Sequence, residues 1–140
     1  MGLSWKRPYF TREEKPFFLP TETELDQLIS NCRLRMSVFL ETLKETGVDS
    51  GEAWLMKWTD LNLQESKVAV TPTKNHNSRT LHISSHLIAR LIMLPRKSMF
   101  VFGGKDLEDL RKCYCLMKKK LAVKLGNPRL YEVAFRSFRH

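Results

Sequence analysis

Nine of the last thirty residues are cationic: Arg111, Lys112, Lys118, Lys119, Lys120, Lys124, Arg129, Arg136 and Arg139, against one acid, Glu132. Residues 1–110 carry 15 basic and 14 acidic side chains, so nearly all of the net charge of +9 lies in residues 111–140. A guanidinium fork meets two phosphate oxygens at once, and an ammonium acts as a point charge. The chemistry on offer is therefore grip on a polyanion, DNA or RNA being the commonest, and the plain alternative is a solvated basic helix face. Lys74 stands apart, inside the polar run Pro72–Ser78, where the residues alone read as one more lysine in a solvated turn. His76, His82 and His86 with Cys113 and Cys115 raise the question of a metal. Cys-x-Cys is not the Cys-x₂-Cys spacing of zinc sites, and residues two apart leave a helix on different sides, so no metal and no cofactor are expected.

These side chains need a scaffold, and the chain is long enough for one. Its 140 residues, 42% apolar and 28% charged, fit one domain, two at most. No apolar run approaches the ~20 residues that span a bilayer. No apolar stretch follows Met1 as a secretory signal would require. Three cysteines, an odd number, make no disulfide framework. A soluble, cytoplasmic chain without a membrane partner is expected.

Residues 1–20 read as a linker: Pro8, Pro16 and Pro20 punctuate it, and its aromatics follow neither a helical nor a strand period. Thr21 with Glu24 forms a capping box for a first helix carrying Leu25, Leu28 and Ile29. A second helix runs from about Leu34 to Thr46 and stops at Gly47. Ser50 is the expected cap of a short third helix with Trp54 and Leu55. Three alternating stretches follow, with Leu61 and Leu63, Val68 and Val70, then Leu81 and Ile83. A helix from Ser84 to Leu94 precedes Pro95. Asp106 caps a long helix whose stripe is Leu107, Leu110, Tyr114, Met117, Leu121 and Leu125, with the lysine cluster opposite and Gly126-Asn127-Pro128 ending it. Trp54 and Trp58 are expected to pack in the core or against the sheet. There is no internal repeat and no low-complexity tract. The predicted fold is α+β and mostly helical, with helices flanking a small three-stranded antiparallel sheet.

Three ordered stretches within residues 17–140 resemble the catalytic domain of tyrosine recombinases, the phage-integrase family. Glu45-Thr46-Gly47-Val48-Asp49-Ser50-Gly51-Glu52-Ala53, followed by Leu55 and Trp58-Thr59-Asp60-Leu61, resembles the first sequence box. Lys74 and Arg79-Thr80-Leu81-His82-Ile83-Ser84 resemble the hairpin lysine and its exit strand. Arg136-Ser137-Phe138-Arg139-His140 resembles the second box, and Leu125-Gly126-Asn127-Pro128-Arg129 before it is similar to archaeal members. The resemblance implies a partial version of the DNA breaking-rejoining fold over residues 21–140, behind the linker at 1–20. It also implies duplex DNA as partner, with other recombinase protomers beside it on the DNA, in integration and site-specific recombination.

In that family a tyrosine attacks the scissile phosphate, arginines and a histidine hold it, and the hairpin lysine protonates the leaving oxygen. Carried over residue by residue, Lys74 is the leaving-group acid, Arg139 the second-box clamp, and Arg136 stands where the histidine usually does. The implied DNA contacts are Lys74, Lys118, Lys119, Lys120, Lys124, Arg129, Arg136, Arg139 and His140. Two positions depart from the pattern. Asp49 occupies the place of the first-box arginine, with no basic residue between Lys44 and Lys57 to restore it by a slip. Arg136 stays protonated at neutral pH and is a poor base. Glu52 either orients an arginine, as an acid does in the family, or populates the first turn of a helix. None of Tyr9, Tyr114 and Tyr131 stands in the nucleophile's place. A partial, degenerate catalytic domain that binds DNA but does not cleave it alone is the expectation. A non-catalytic DNA-binding or regulatory protein derived from an integrase and an unrelated basic helical interaction module stay open beside it.

Overall fold

The predicted capping box forms: the Thr21 hydroxyl accepts the Glu24 amide, and the Glu24 carboxylate accepts the Thr21 amide, opening α1 (Glu22–Ser30). The computed structural model describes residues 19–70, 78–103 and 106–139. Of the expected linker it therefore describes only Leu19 and Pro20, and Lys74, His76 and His140 also lie outside the described residues. The second helix, α2 (Leu34–Thr46), ends as the sequence predicts, with Gly47 at φ +73 returning its amide to the Leu43 carbonyl. A side chain at that φ is strained, which is why glycine suits the position.

The short helix α3 (Ser50–Trp54) corrects one expectation. Asp49, not Ser50, is its cap: the Asp49 carboxylate accepts the Glu52 amide, and the Glu52 carboxylate accepts the Asp49 amide. A carboxylate outcompetes a hydroxyl here because it also favours the positive end of the helix. The sheet is β1 (Leu61–Asn62), β2 (Lys67–Val70) and β3 (Arg79–His82), antiparallel in that order. Val68 pairs with Leu81 and Val70 with Arg79. The first strand is shorter than expected, since Leu63 turns out into solvent at 39% exposure.

Ser84 caps α4 (Ser85–Ile92), and the Glu45 carboxylate accepts both its amide and its hydroxyl, at 2.6 and 2.8 Å, so the end of α2 is tied to the start of α4. Asp106 caps α5 (Leu107–Leu125), which stops at Gly126, φ +64. Its inward face is Leu110, Tyr114, Leu121 and Ala122. Leu125, expected in that stripe, is exposed at 42% because it falls in the last turn, beyond the surface that α5 packs on. Two 3₁₀ segments, Pro128–Glu132 and Phe135–Arg139, complete the described chain. No helix among the described residues is long and apolar enough to cross a membrane.

Phe39 of α2 is fully buried at the centre of the core. Its ring meets Phe102 at 5.1 Å, Phe135 at 5.2 Å and Trp54 at 6.3 Å between centroids, all edge-on. Tyr114 lies 4.9 Å from Phe135 and 6.3 Å from Phe138. The segment that resembles the second box is thus held by two aromatic anchors from below. Trp54 and Trp58 are both half-buried and packed against this core as expected, and the Arg96 guanidinium carbon lies 4.6 Å from the Trp58 ring centre.

A buried carboxylate fixes the turn that leads into that segment. Glu24 accepts from Arg129 Nε and Asn127 Nδ2, both at 2.9 Å, and the same guanidinium donates to the Leu19 carbonyl. Hydrogen bonds from Arg129 foremost, against the opposing effect of burial, hold the Glu24 carboxyl at about 2, below its ordinary 4.5. A carboxyl lowered by folding stabilises the native state fully above its unfolded value and ceases to do so as pH falls toward the folded one. Glu24→Gln is therefore expected to melt below the wild type at pH 6, by the equivalent of about 1.5–3 kcal/mol for lost charged hydrogen bonds. The gap should close between pH 4.5 and about 2. Melting curves of both proteins across that range check it; a gap independent of pH would mean that the carboxylate charge is not what anchors the turn.

Candidate functional site

The 3₁₀ segment Phe135–Arg139 repeats every three residues, so side chains at i and i+3 eclipse. Phe135 and Phe138 are buried on one side, which leaves Arg136 and Arg139 exposed and eclipsed on the other. At ~2 Å rise per residue their backbones are about 6 Å apart along the axis. Arg139 Nε donates to the Gly47 carbonyl at 3.0 Å, which places its guanidinium against the turn between α2 and α3. The two sequence boxes, far apart in the chain, meet here.

That turn draws two more guanidinium groups that the sequence reading did not single out as site residues. Arg79 of β3 forks onto Glu52, Nη1 to Oε2 at 3.0 Å and Nη2 to Oε1 at 2.8 Å. The Glu52 side chain is wholly buried and that of Arg79 one-third exposed. Both readings of Glu52 hold together: it closes the cap of α3 and it orients an arginine, Arg79. Arg111 of α5 reaches the same turn from the other side, with Nη2 at 3.4 Å from the Ser50 hydroxyl and its guanidinium carbon 5.5 Å from the centre of the Phe135 ring. Each partner lies tens of residues away in sequence, so the only signal for either arginine was its charge.

Lys74 lies outside the described residues, but the strands it joins are described. The pair Val70–Arg79 closes the sheet end from which its loop leaves, and Arg79 is the residue bound to Glu52.

The remaining cations do not form one patch. Successive helix residues turn by about 100°, so Lys118, Lys119 and Lys120 fan around α5. Lys118 is not opposite the core, as expected, but beside it: its ammonium donates to the Val133 carbonyl at 3.2 Å and lies 5.1 Å from the centre of the Tyr114 ring. Lys119, Lys120 and Lys124 are exposed, among the exposed apolar side chains Leu116 and Val123. Arg129 is bound to Glu24, as described above. The structure therefore gathers Arg139, Arg79 and Arg111 around residues 47–52, with Arg136 exposed one 3₁₀ turn before Arg139, and binds Arg129 to Glu24 instead.

Tyr114 is buried and its hydroxyl donates to the Val133 carbonyl at 2.6 Å, while burial raises its pKa far above the ordinary tyrosine value. Such a phenol is a packing group. Cys32 is similarly inert: its thiol donates to the Leu28 carbonyl and burial pushes it up to about 12. Among the described residues no cluster of three or more His, Cys, Asp or Glu side chains is placed to hold a metal ion.

The fold is that of solved recombinase and integrase structures. XerA recombinase superposes with a TM-score of 0.66 at 23% identity, over 89% of this chain and 50% of that one. The integrase from mycobacterium phage Brujita gives 0.64 at 18% identity, over 91% and 44%. The catalytic domain of bacteriophage HP1 integrase gives 0.60 at 21% identity, over 86% and 68%. This chain thus spans half or less of the first two proteins. No family model and no curated protein sequence matches it.

Proposed function

We propose that this chain is a DNA-binding part of a tyrosine recombinase or integrase, acting in DNA integration and site-specific recombination. It grips duplex DNA by its phosphates and does not itself supply the cleaving nucleophile. The observation that carries this reading is the meeting of Arg139 with the Gly47 carbonyl, which brings the two sequence boxes together in a fold shared with solved recombinases. Two arginines three residues apart on a 3₁₀ segment anchored by buried Phe135 and Phe138 suit a phosphodiester, because both side chains leave the same side of that segment. Lys74, in the stretch of sequence between β2 and β3, is the proposed proton donor to a leaving oxygen. Asp49 is the position at which the phosphate grip is weakened, since its carboxylate repels a phosphate. Lys119, Lys120 and Lys124 supply sequence-independent attraction along α5. The buried, hydrogen-bonded hydroxyl of Tyr114 makes this phenol a packing group, whereas Tyr131 is exposed.

A salt titration of binding to a duplex, with the same duplex nicked to trap any covalent product, tests this. Affinity is expected to fall steeply as salt rises, with no covalent adduct. The triple variant Lys119→Glu, Lys120→Glu, Lys124→Glu should weaken binding to all sequences alike. No binding at low salt would favour the interaction module, and a covalent adduct would overturn the non-cleaving part of the reading.

A further inference from the structure

We infer that Arg111, on α5, and Arg139 together form a two-arginine clamp on one backbone phosphate of duplex DNA, seated over the turn from Gly47 to Ser50. This rests on the DNA-binding reading and deepens it by assigning a contact to a residue outside both boxes. The three described guanidinium groups bound to the 47–52 stretch are not equally committed. Arg79 spends both arms of its fork on a wholly buried carboxylate, and withdrawing it would cost that charge a two-armed donor. Arg139 makes a single bond to a carbonyl and is otherwise exposed. Arg111 makes one long bond to a hydroxyl, and its ion pair with Glu108 joins side chains that are 42% and 58% exposed. An ion pair that exposed contributes little, so a phosphate can replace Glu108 as partner at small cost.

Position favours the same pair. Arg139 is bound at Gly47 and Arg111 at Ser50, on either side of Asp49. Arg111 also lies over the Phe135 ring, in the segment that carries Arg139. Stacking on an aromatic face limits the rotamers of a long side chain, so less freedom is lost when it binds. Of the carboxylates in this stretch, Glu52 is bound by Arg79 and Asp49 caps α3, while the two less committed cations come from α5 and from the 3₁₀ segment.

The test compares the wild type, Arg111→Gln and Arg111→Lys in anisotropy titrations with a fluorescent duplex over a range of salt. Arg111→Gln is expected to lose roughly fivefold to tenfold in affinity at low salt and to lower the salt slope by about 1. Arg111→Lys should keep the slope but recover only part of the affinity, because the fork is gone. An unchanged slope in Arg111→Gln, with wild-type binding intact, overturns the clamp and leaves the DNA reading standing. A wild type that does not bind duplex in a salt-dependent way overturns both. If Arg111→Gln is unstable, the Arg111 Nε–H resonance of the ¹⁵N-labelled wild type decides. It should shift as duplex is added, and a resonance unmoved at saturation overturns the clamp.

Discussion

Replacing Arg79 by alanine is expected to destabilise the domain by about 3–5 kcal/mol, the usual cost of removing one side of a buried ion pair. Glu52 is wholly buried and receives both arms of the Arg79 guanidinium. Against a total stability of about 5–15 kcal/mol for an ordinary domain, the loss is a large share. It has two physical parts. The carboxylate loses its strongest donor, and the cap of α3, which the same carboxylate closes through the Asp49 amide, loses an oriented partner. The double variant Glu52→Gln, Arg79→Gln should be less damaged than Arg79→Ala, because no buried charge remains. Urea unfolding followed by tryptophan fluorescence measures both. A loss below about 1 kcal/mol in Arg79→Ala would mean that water solvates Glu52 as well as the arginine does.

The second large effect is a gain. Asp49→Arg is expected to raise duplex affinity by on the order of tenfold at low salt, the scale of one charged hydrogen bond to phosphate. It should also lower stability by about 1 kcal/mol, since arginine cannot accept the Glu52 amide as the Asp49 carboxylate does. Asp49→Asn separates the two effects. Asparagine caps about as well as aspartate, so stability should hold while the loss of a negative charge still improves binding. If Asp49→Arg bound no better than Asp49→Asn, position 49 would not face the phosphate. The exchange of a cation for a cap at this position would be a trade of ligand grip for local stability.

The helices were legible wherever a cap and a stop stood in the sequence, as at Thr21 with Glu24, at Gly47, and at Asp106 with Gly126. Those signals act within one turn of helix, so neighbours suffice to read them. The cap of α3 was misread as Ser50 for a related reason: two good caps stand side by side, and the choice depends on which one Glu52 answers. The sheet was legible as alternation, although β1 proved shorter than Leu61 and Leu63 implied. The site was legible only in part. Arg139 was named from its resemblance to a motif, and its contact with Gly47 joins the two boxes as that resemblance implies. Arg79 and Arg111 were not named as site residues, because their partners Glu52 and Ser50 come close only once the chain has folded. The lysine triplet was read as a unit, but consecutive helical positions diverge, and Lys118 was drawn to the Val133 carbonyl.

Leu19, Glu24 and Arg129 meet at a single guanidinium. The backbone upstream of α1 and the turn ahead of the arginine pair are therefore mechanically in series. A tug on the chain before Leu19 is borne by Arg129, whose neighbours set the angle at which Phe135 and Phe138 enter the core. Whatever pulls or rotates that strand of backbone can bias how Arg136 and Arg139 are presented, with no contact to either.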